Sequence, residues 1–271
     1  MLPINLEQAV APRPGSPLTD GFHAEDKDAF VAYDPALTAE VHGYLELLSR
    51  WMHAEVEGLQ HVPRAGRALL VGNHAFGFDQ AFAVHAIWEA TRRPVFCLGE
   101  HLWWRVPVVR RLAAAIGIVD GTPQNVDHLL AQDQLVLVLP GGLRESVKPA
   151  ELRYRLLWGT RHGFVRAAIR TQTPLIPVAA VGSDEWFDLA GDPFARGMKL
   201  LGRRFPLPLP KHLWSLPHRV RPRYLIGPPI PPIPVDQIDD PGAVHRLRQT
   251  IAGALHELID QELARRSGFA L

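Results

Sequence analysis

The chain has 271 residues, 47% of them apolar, and its 29 basic and 28 acidic residues leave a formal net charge of +1. That length suits one sizeable α/β domain with or without an extension, and the apolar share is ample for a core. Near-neutral charge excludes the broad electrostatic footprint that nucleic acid requires, and a single cysteine, Cys97, excludes an intrachain disulfide and any cysteine-cluster zinc site.

Residues 1–34 read as a loosely ordered arm, and residues 35–271 as one domain. The start, Met1 to Pro12, lacks the basic opening and apolar core of a signal peptide. No segment reaches the ~18 uninterrupted apolar residues of a spanning helix, so a reduced, cytoplasmic setting is expected. A helix is expected from Pro35 to about Glu57. Strands follow at 67–73, 94–98, 116–119, 134–139, 174–181 and 220–227. Helical stretches lie between them at about 80–92, 107–115, 124–132, 155–171 and 183–189. That alternation argues for an α/β fold with a mostly parallel sheet covered by helices and an N-terminal helical extension. A last helix has Asp240 to cap it, Pro241 in its first turn, and an apolar face of Val244, Leu247, Ile251, Leu255, Leu258 and Leu263. Cys97, within Pro94-Val-Phe-Cys-Leu98, reads as an inert strand thiol.

The chemistry-bearing stretch is Asn73-His74-Ala-Phe-Gly-Phe-Asp79, between the strand at 67–73 and the helix from Gln80. Open α/β sheets bind their ligands at the turns leaving the carboxyl ends of strands. Imidazole takes a proton near neutral pH, and a carboxylate on its other ring nitrogen fixes the tautomer. The His-x4-Asp spacing also occurs at His23/Asp28 and His128/Asp133. The first of these has no strand before it. The second surrounds a helix, where five residues turn the side chains about 140° apart. The histidines His85, His101, His162 and His218 are read as structural. A second motif, Pro140-Gly141-Gly142-Leu-Arg144-Glu145, leaves the strand at 134–139; paired glycines let a ligand approach the backbone and free amides to face an anion. A third, Pro174-Leu-Ile-Pro177-Val178, opens another buried strand.

Taken together over roughly residues 45–230, these three blocks resemble the glycerolipid acyltransferases of the PlsC type, which carry NHxxxxD, FPEGTRS and PxxPV blocks. The resemblance implies the PlsC-type fold and O-acyl transfer from a thioester, acyl-CoA or acyl carrier protein, to a lipid acceptor, with no cofactor and no metal. It implies His74 as general base, Asp79 as its orienting partner, and Asn73, Gly141, Gly142, Arg144 and Glu145 around the substrates, with Glu145 fixing Arg144 or reading an acceptor hydroxyl. Two departures matter. Gly141 stands where lysophosphatidate-specific members carry glutamate, and Gly121 stands where they carry arginine. The PGGxxE form is closer to diacylglycerol acyltransferases and to bacterial proteins sharing that motif. A hydrolase using the same His/Asp pair with water, and a non-catalytic lipid binder, are the rival readings. Two segments, 102–112 with Trp103, Trp104, Arg110 and Arg111, and 196–211 with Arg203 and Arg204, mix apolar and basic residues in the manner of a peripheral membrane surface.

Overall fold

A computed structural model describes residues 33–75, 79–99, 112–186, 198–200, 203–205 and 220–268. Among them a seven-stranded sheet runs in the order β1-β9-β6-β2-β5-β3-β4. Its strands are β1 (Glu55–Glu57), β2 (Ala68–Gly72), β3 (Val95–Gly99), β4 (Ile118–Asp120), β5 (Leu135–Val138), β6 (Leu175–Val181) and β9 (Arg223–Ile226); β7 (Met198–Leu200) and β8 (Arg203–Phe205) form a separate antiparallel pair. Five neighbours, β6-β2-β5-β3-β4, are parallel. β9 joins β6 antiparallel, and β1 runs parallel to β9. The described residues include the helices α1 (Pro35–Met52), α2 (Ala81–Thr91), α3 (Pro123–Ala131), α4 (Gly142–Ser146), α5 (Gly163–Thr171) and α6 (Pro241–Gly268).

The central strands are apolar without alternation because both faces are covered. Leu69, Val71, Val136, Ala179 and Val181 face one core, with Leu130 of α3, Ile169 of α5, and Ile251 and Leu255 of α6. Leu70, Leu135, Leu137, Ile176 and Val178 face the other, with Phe82 and Ile87 of α2. All residues of β2 and β6 are buried, and each fully buried Leu, Ile or Val contributes about 1.5–3 kcal/mol of transfer free energy. β2 therefore lies at the middle of the sheet, with β5 and β6 on its two sides. The turns leaving these three parallel strands come together at the carboxyl end of the sheet's centre.

Several boundaries differ from the sequence expectation. α1 stops at Met52, where His53 adopts a left-handed φ of 52° and closes the helix; the expected continuation to Glu57 is instead β1. The helix expected over 155–171 begins only at Gly163, because Gly159 turns with φ 55° and Trp158 is drawn into the core. The stretch from 183 forms one 3-10 turn, Ser183–Glu185. Residues 112–115 are helical, while the rest of the expected helix at 107–115 lies outside the described residues, as do residues 1–32. The cap at Asp240 follows the sequence, whereas Asp34, expected in the loose arm, caps α1. Asp34 accepts from the Ala36 and Leu37 N–H groups, and Asp240 accepts from Gly242 N–H at 2.8 Å.

α1 packs on α2 through an imidazole pair. His42 Nδ1 lies 3.4 Å from His85 Nδ1, and the His42 ring stacks on Trp88 with centroids 4.4 Å apart. One of the two facing nitrogens must donate and the other accept, so the contact is lost once both rings are protonated. Burial, then repulsion from His85, pushes the His42 imidazole from 6.5 down to about 4, against the opposing pull of Glu89. The unfolded chain then takes up this proton first as pH falls, so the stability present above pH 6.5 is lost progressively towards pH 4. Urea midpoints should fall over that window, and His42→Phe, which keeps the stack on Trp88, should flatten the dependence; an equally steep slope in the variant would contradict the assignment.

Candidate active site

The site is built where the β2 ladder ends. Asn73, one residue beyond β2, is buried and extends the pairing with β6 through its side chain: Nδ2 donates to the Ala180 carbonyl at 2.9 Å and Oδ1 accepts from Ala180 N–H at 2.8 Å. Gln80 Nε2 donates to the Asn73 carbonyl at 3.0 Å. These bonds fix the direction in which the chain leaves the sheet, and His74 is the next residue.

His74 Nδ1 lies 3.0 Å from Asp79 Oδ1, and the second carboxylate oxygen, Oδ2, accepts from Ala75 N–H at 2.5 Å. The Asp79 side chain is fully buried, whereas the His74 side chain is 15% exposed. An ionised carboxylate only accepts, so Nδ1 carries the proton and Nε2 carries the lone pair. The arrangement anchors one imidazole nitrogen in the protein, a geometry that suits a ring acting as a base through its other nitrogen. The spacing that suggested the pair therefore brings the two side chains into contact. The decoys behave differently. His128 of α3 pairs with Gln132 just past the helix, with Nε2 3.0 Å from the Gln132 amide, and Asp133 is bridged to Arg67 at 3.2 Å. His23 and Asp28 lie outside the described residues.

The turn leaving β5 supplies the second wall. Arg161 Nη1 donates to the Pro140 and Gly141 carbonyls at 2.7 and 2.6 Å, and Gly142 N–H donates to the Leu139 carbonyl at 2.9 Å. Gly142 adopts φ 53°, a left-handed conformation that favours glycine. Gly141 is glycine for a different reason. A Cβ there would lie 1.9 Å from Glu145 Oε2, because the Glu145 side chain folds back beneath it. Glu145 is fully buried, and its oxygens accept from His74 N–H and Leu157 N–H, each at 2.7 Å. Its partners are thus backbone groups rather than Arg144, which is exposed on α4. Burial pushes the Glu145 carboxyl above its usual range, opposed by the Lys148 ammonium and the two backbone N–H donors.

Two functional candidates were not read from the sequence. Lys148, three residues past Glu145, donates from Nζ to the His74 carbonyl at 2.6 Å and forms an ion pair with Asp184 Oδ1 at 2.6 Å. Asp184 comes from the turn that leaves β6, and its other oxygen accepts from Tyr154 N–H at 2.5 Å. Burial pushes the Asp184 carboxyl up, while Lys148 pulls it down. The available signals were an acidic residue just past a buried strand and a lysine one turn beyond the PGGxxE glutamate.

Burial, with the Asp79 charge adding to it, pushes the Cys97 thiol up to about 12, which keeps it an inert thiol. His85 has His42 as its partner, and His162 Nδ1 lies 2.7 Å from the Thr160 carbonyl; His101 and His218 lie outside the described residues. No cluster of three or more His, Cys, Asp or Glu that could hold a metal occurs among the described residues. Nor is any described helix long and apolar enough to cross a membrane.

Residues 53–181 match the model of a family described as Acyltransferase. An uncharacterized protein of Mycobacterium tuberculosis is 36% identical over 163 residues, which cover 58% of this chain and 44% of the relative. The chain therefore spans less than half the length of its mycobacterial relatives. A human protein described as a DGAT1/2-independent enzyme synthesizing storage lipids is 27% identical over 212 residues, covering 78% of this chain and 62% of that protein. The cattle counterpart is 26% identical over the same length, with 60% of it covered. Among solved structures, the 1-acyl-sn-glycerophosphate acyltransferase PlsC of Thermotoga maritima superposes with a TM-score of 0.54 at 15% identity, covering 83% of this chain and 79% of that one.

Proposed function

We propose, from the match of residues 53–181 to the acyltransferase family and from the PlsC-type fold, that the protein moves a fatty acyl group from an acyl thioester to the hydroxyl of a lipid. The observation that carries the reading is the His74–Asp79 contact at 3.0 Å on the turn leaving the central strand. His74 Nε2 takes the proton of the acceptor hydroxyl as its oxygen attacks the thioester carbonyl carbon. The carbon–sulfur bond then breaks, and the departing thiolate recovers a proton from the imidazolium. Asp79 stabilises that imidazolium through Nδ1–H. The donor is acyl-CoA or an acyl carrier protein, and neither a metal nor a further cofactor enters the scheme. Arg144, exposed beside the turn, is assigned to the polar groups of donor or acceptor.

General-base histidines contribute about 10²–10⁴ in rate. His74→Ala should therefore lower kcat by that factor with the melting temperature retained, while His128→Ala stays close to the parent. Release of free thiol that requires added acceptor marks a transferase; release at the same rate without acceptor would mark a thioester hydrolase and overturn the proposal.

The acceptor follows from the charges around the turn. A phosphorylated acceptor needs cationic partners, since burying its charge unpaired is prohibitive. Gly121 offers none. Gly141 cannot become the glutamate of the phosphate-acceptor blocks while Glu145 occupies the space beneath it. Arg161 is engaged with the Pro140 and Gly141 carbonyls, which leaves exposed Arg144 as a single cation against a dianion. A neutral or zwitterionic hydroxyl acceptor, such as a mono- or diacylglycerol or a long-chain alcohol, is therefore preferred. In competition at equal concentration, monoacylglycerol should be acylated ahead of lysophosphatidate; dominant phosphatidate formation would contradict this.

Such substrates partition into membrane, and α1 offers a surface for it. Tyr44, Leu47, Leu48 and Trp51 recur at helical spacing on one stripe, with Leu47 66% and Trp51 62% exposed. Arg50 stands beside the stripe. The basic-aromatic segment at 102–112 lies almost wholly outside the described residues, and only the β7 and β8 backbone is described within 196–211. The protein should co-sediment with anionic vesicles, and Leu47→Glu/Trp51→Glu should release it; equal recovery of parent and variant with the vesicles would remove α1 from the contact.

A further inference from the structure

We propose that Lys148 and Asp184 are a buried positioning pair that sets the tautomer and direction of the His74 imidazole by gripping the peptide between His74 and Ala75. This rests on the acyl-transfer reading for its consequence in turnover, but not for its geometry. The carbonyl of that peptide accepts from Lys148 Nζ at 2.6 Å, and its N–H donates to Asp79 Oδ2 at 2.5 Å. One peptide unit is thus held on opposite sides by the lysine and by the carboxylate that orients the imidazole. If the lysine is lost, the peptide is free to turn, the Ala75 N–H bond to Asp79 weakens, and Oδ1 loses its fixed approach to His74 Nδ1.

The pair is an expensive way to fill this space. The side chains of Lys148 and Asp184 are 2% and 3% exposed, and taking both charges out of water costs much of their mutual attraction, so an uncharged pair of similar volume can pack as stably. What an uncharged pair without a donor cannot supply is an N–H for the His74 carbonyl. The ammonium has three N–H bonds and three acceptors around it: Asp184 Oδ1 at 2.6 Å, the His74 carbonyl at 2.6 Å and the Glu145 carbonyl at 3.4 Å. Asp184 holds the lysine in that direction and is itself tied to Tyr154 N–H. Glu145, on the same short segment as Lys148, accepts from His74 N–H. Both backbone groups of His74 are therefore bonded to side chains from the turn after β5, with the turn after β6 bracing the lysine. Lys148 touches the peptide of the base and not its ring, which makes it a positioning residue.

The test uses the full chain carrying Lys148→Met/Asp184→Asn. Methionine keeps the aliphatic volume, and asparagine still accepts from Tyr154 N–H, so the two charges are removed together; Glu145, which loses the nearby ammonium, keeps its His74 and Leu157 N–H donors. Should this variant melt below the assay temperature, Lys148→Leu/Asp184→Asn serves for the same readings. The first readout is the nitrogen-15 spectrum of labelled histidines, with the His74 signals identified by their absence in His74→Gln. The parent should show His74 protonated at Nδ1 alone, and the folded double variant should show the Nε2-protonated tautomer as well. This spectrum needs no substrate, so it tests the positioning role even if the protein proves not to transfer acyl groups. In the transfer assay, kcat should fall by up to about 10²-fold with KM for the acyl donor unchanged. A folded double variant whose His74 stays wholly Nδ1-protonated, or whose kcat equals the parent's, would overturn the proposal.

Discussion

The buried carboxylate of Asp79 is the constraint around which the site is organised. Its two oxygens accept one hydrogen bond from the His74 ring and one from the Ala75 N–H, so a single group fixes both the side chain and the main chain of the turn. That double grip is possible only because Asp79 follows the turn directly and is fully buried. Its burial in turn requires that the turn leave the sheet at the centre. β2 lies between β5 and β6, and the turns after those two neighbours close over it. In this sense the all-apolar cores on both faces of the sheet do more than stabilise the fold. They hold three strand ends in register, so that an acid, a base and a lysine from distant parts of the chain meet within hydrogen-bonding distance.

The PGGxxE block shows how one buried side chain restricts its neighbour. Glu145 reaches under Gly141 to accept the N–H groups of His74 and Leu157, and the space it uses is the space that a side chain at 141 would need. A chain can carry a carboxylate at 141 or the folded-back Glu145, but not both in this geometry. The glycine is therefore a consequence of the glutamate four residues later. The choice also removes one feature that phosphate-acceptor relatives possess. The proposed acceptor preference and the support of the His74 backbone are linked through one pair of positions.

The sequence made the centre of the fold legible and its edges much less so. β2, β5 and β6 are uninterrupted apolar runs, since each is covered on both faces, and their limits fall within a residue or two of expectation. β1 is Glu-Val-Glu at the sheet edge, where pairing with β9 rather than burial defines it, and Arg223 pairs with both glutamates; no apolar pattern could announce such a strand. Trp158 and Gly159 broke an expected helix because the core claimed the tryptophan. At the site, His74 and Asp79 were legible because spacing and a strand–turn–helix context coincide in one short segment. Lys148 and Asp184 were not, because their meeting depends on β5 and β6 both flanking β2, a fact of topology that spacing along the chain does not encode.

The mechanism stands or falls on whether His74 Nε2 faces the reacting acyl group. An experimental structure of the protein with a thioether analogue of acyl-CoA and an unreactive acceptor would decide it. The acceptor hydroxyl should then lie about 3 Å from His74 Nε2, with the acyl carbon that would be attacked on the far side of that oxygen and the Asp79 contact kept. Analogue and acceptor bound away from the turn after β2, with no acceptor oxygen near His74, would contradict the mechanism.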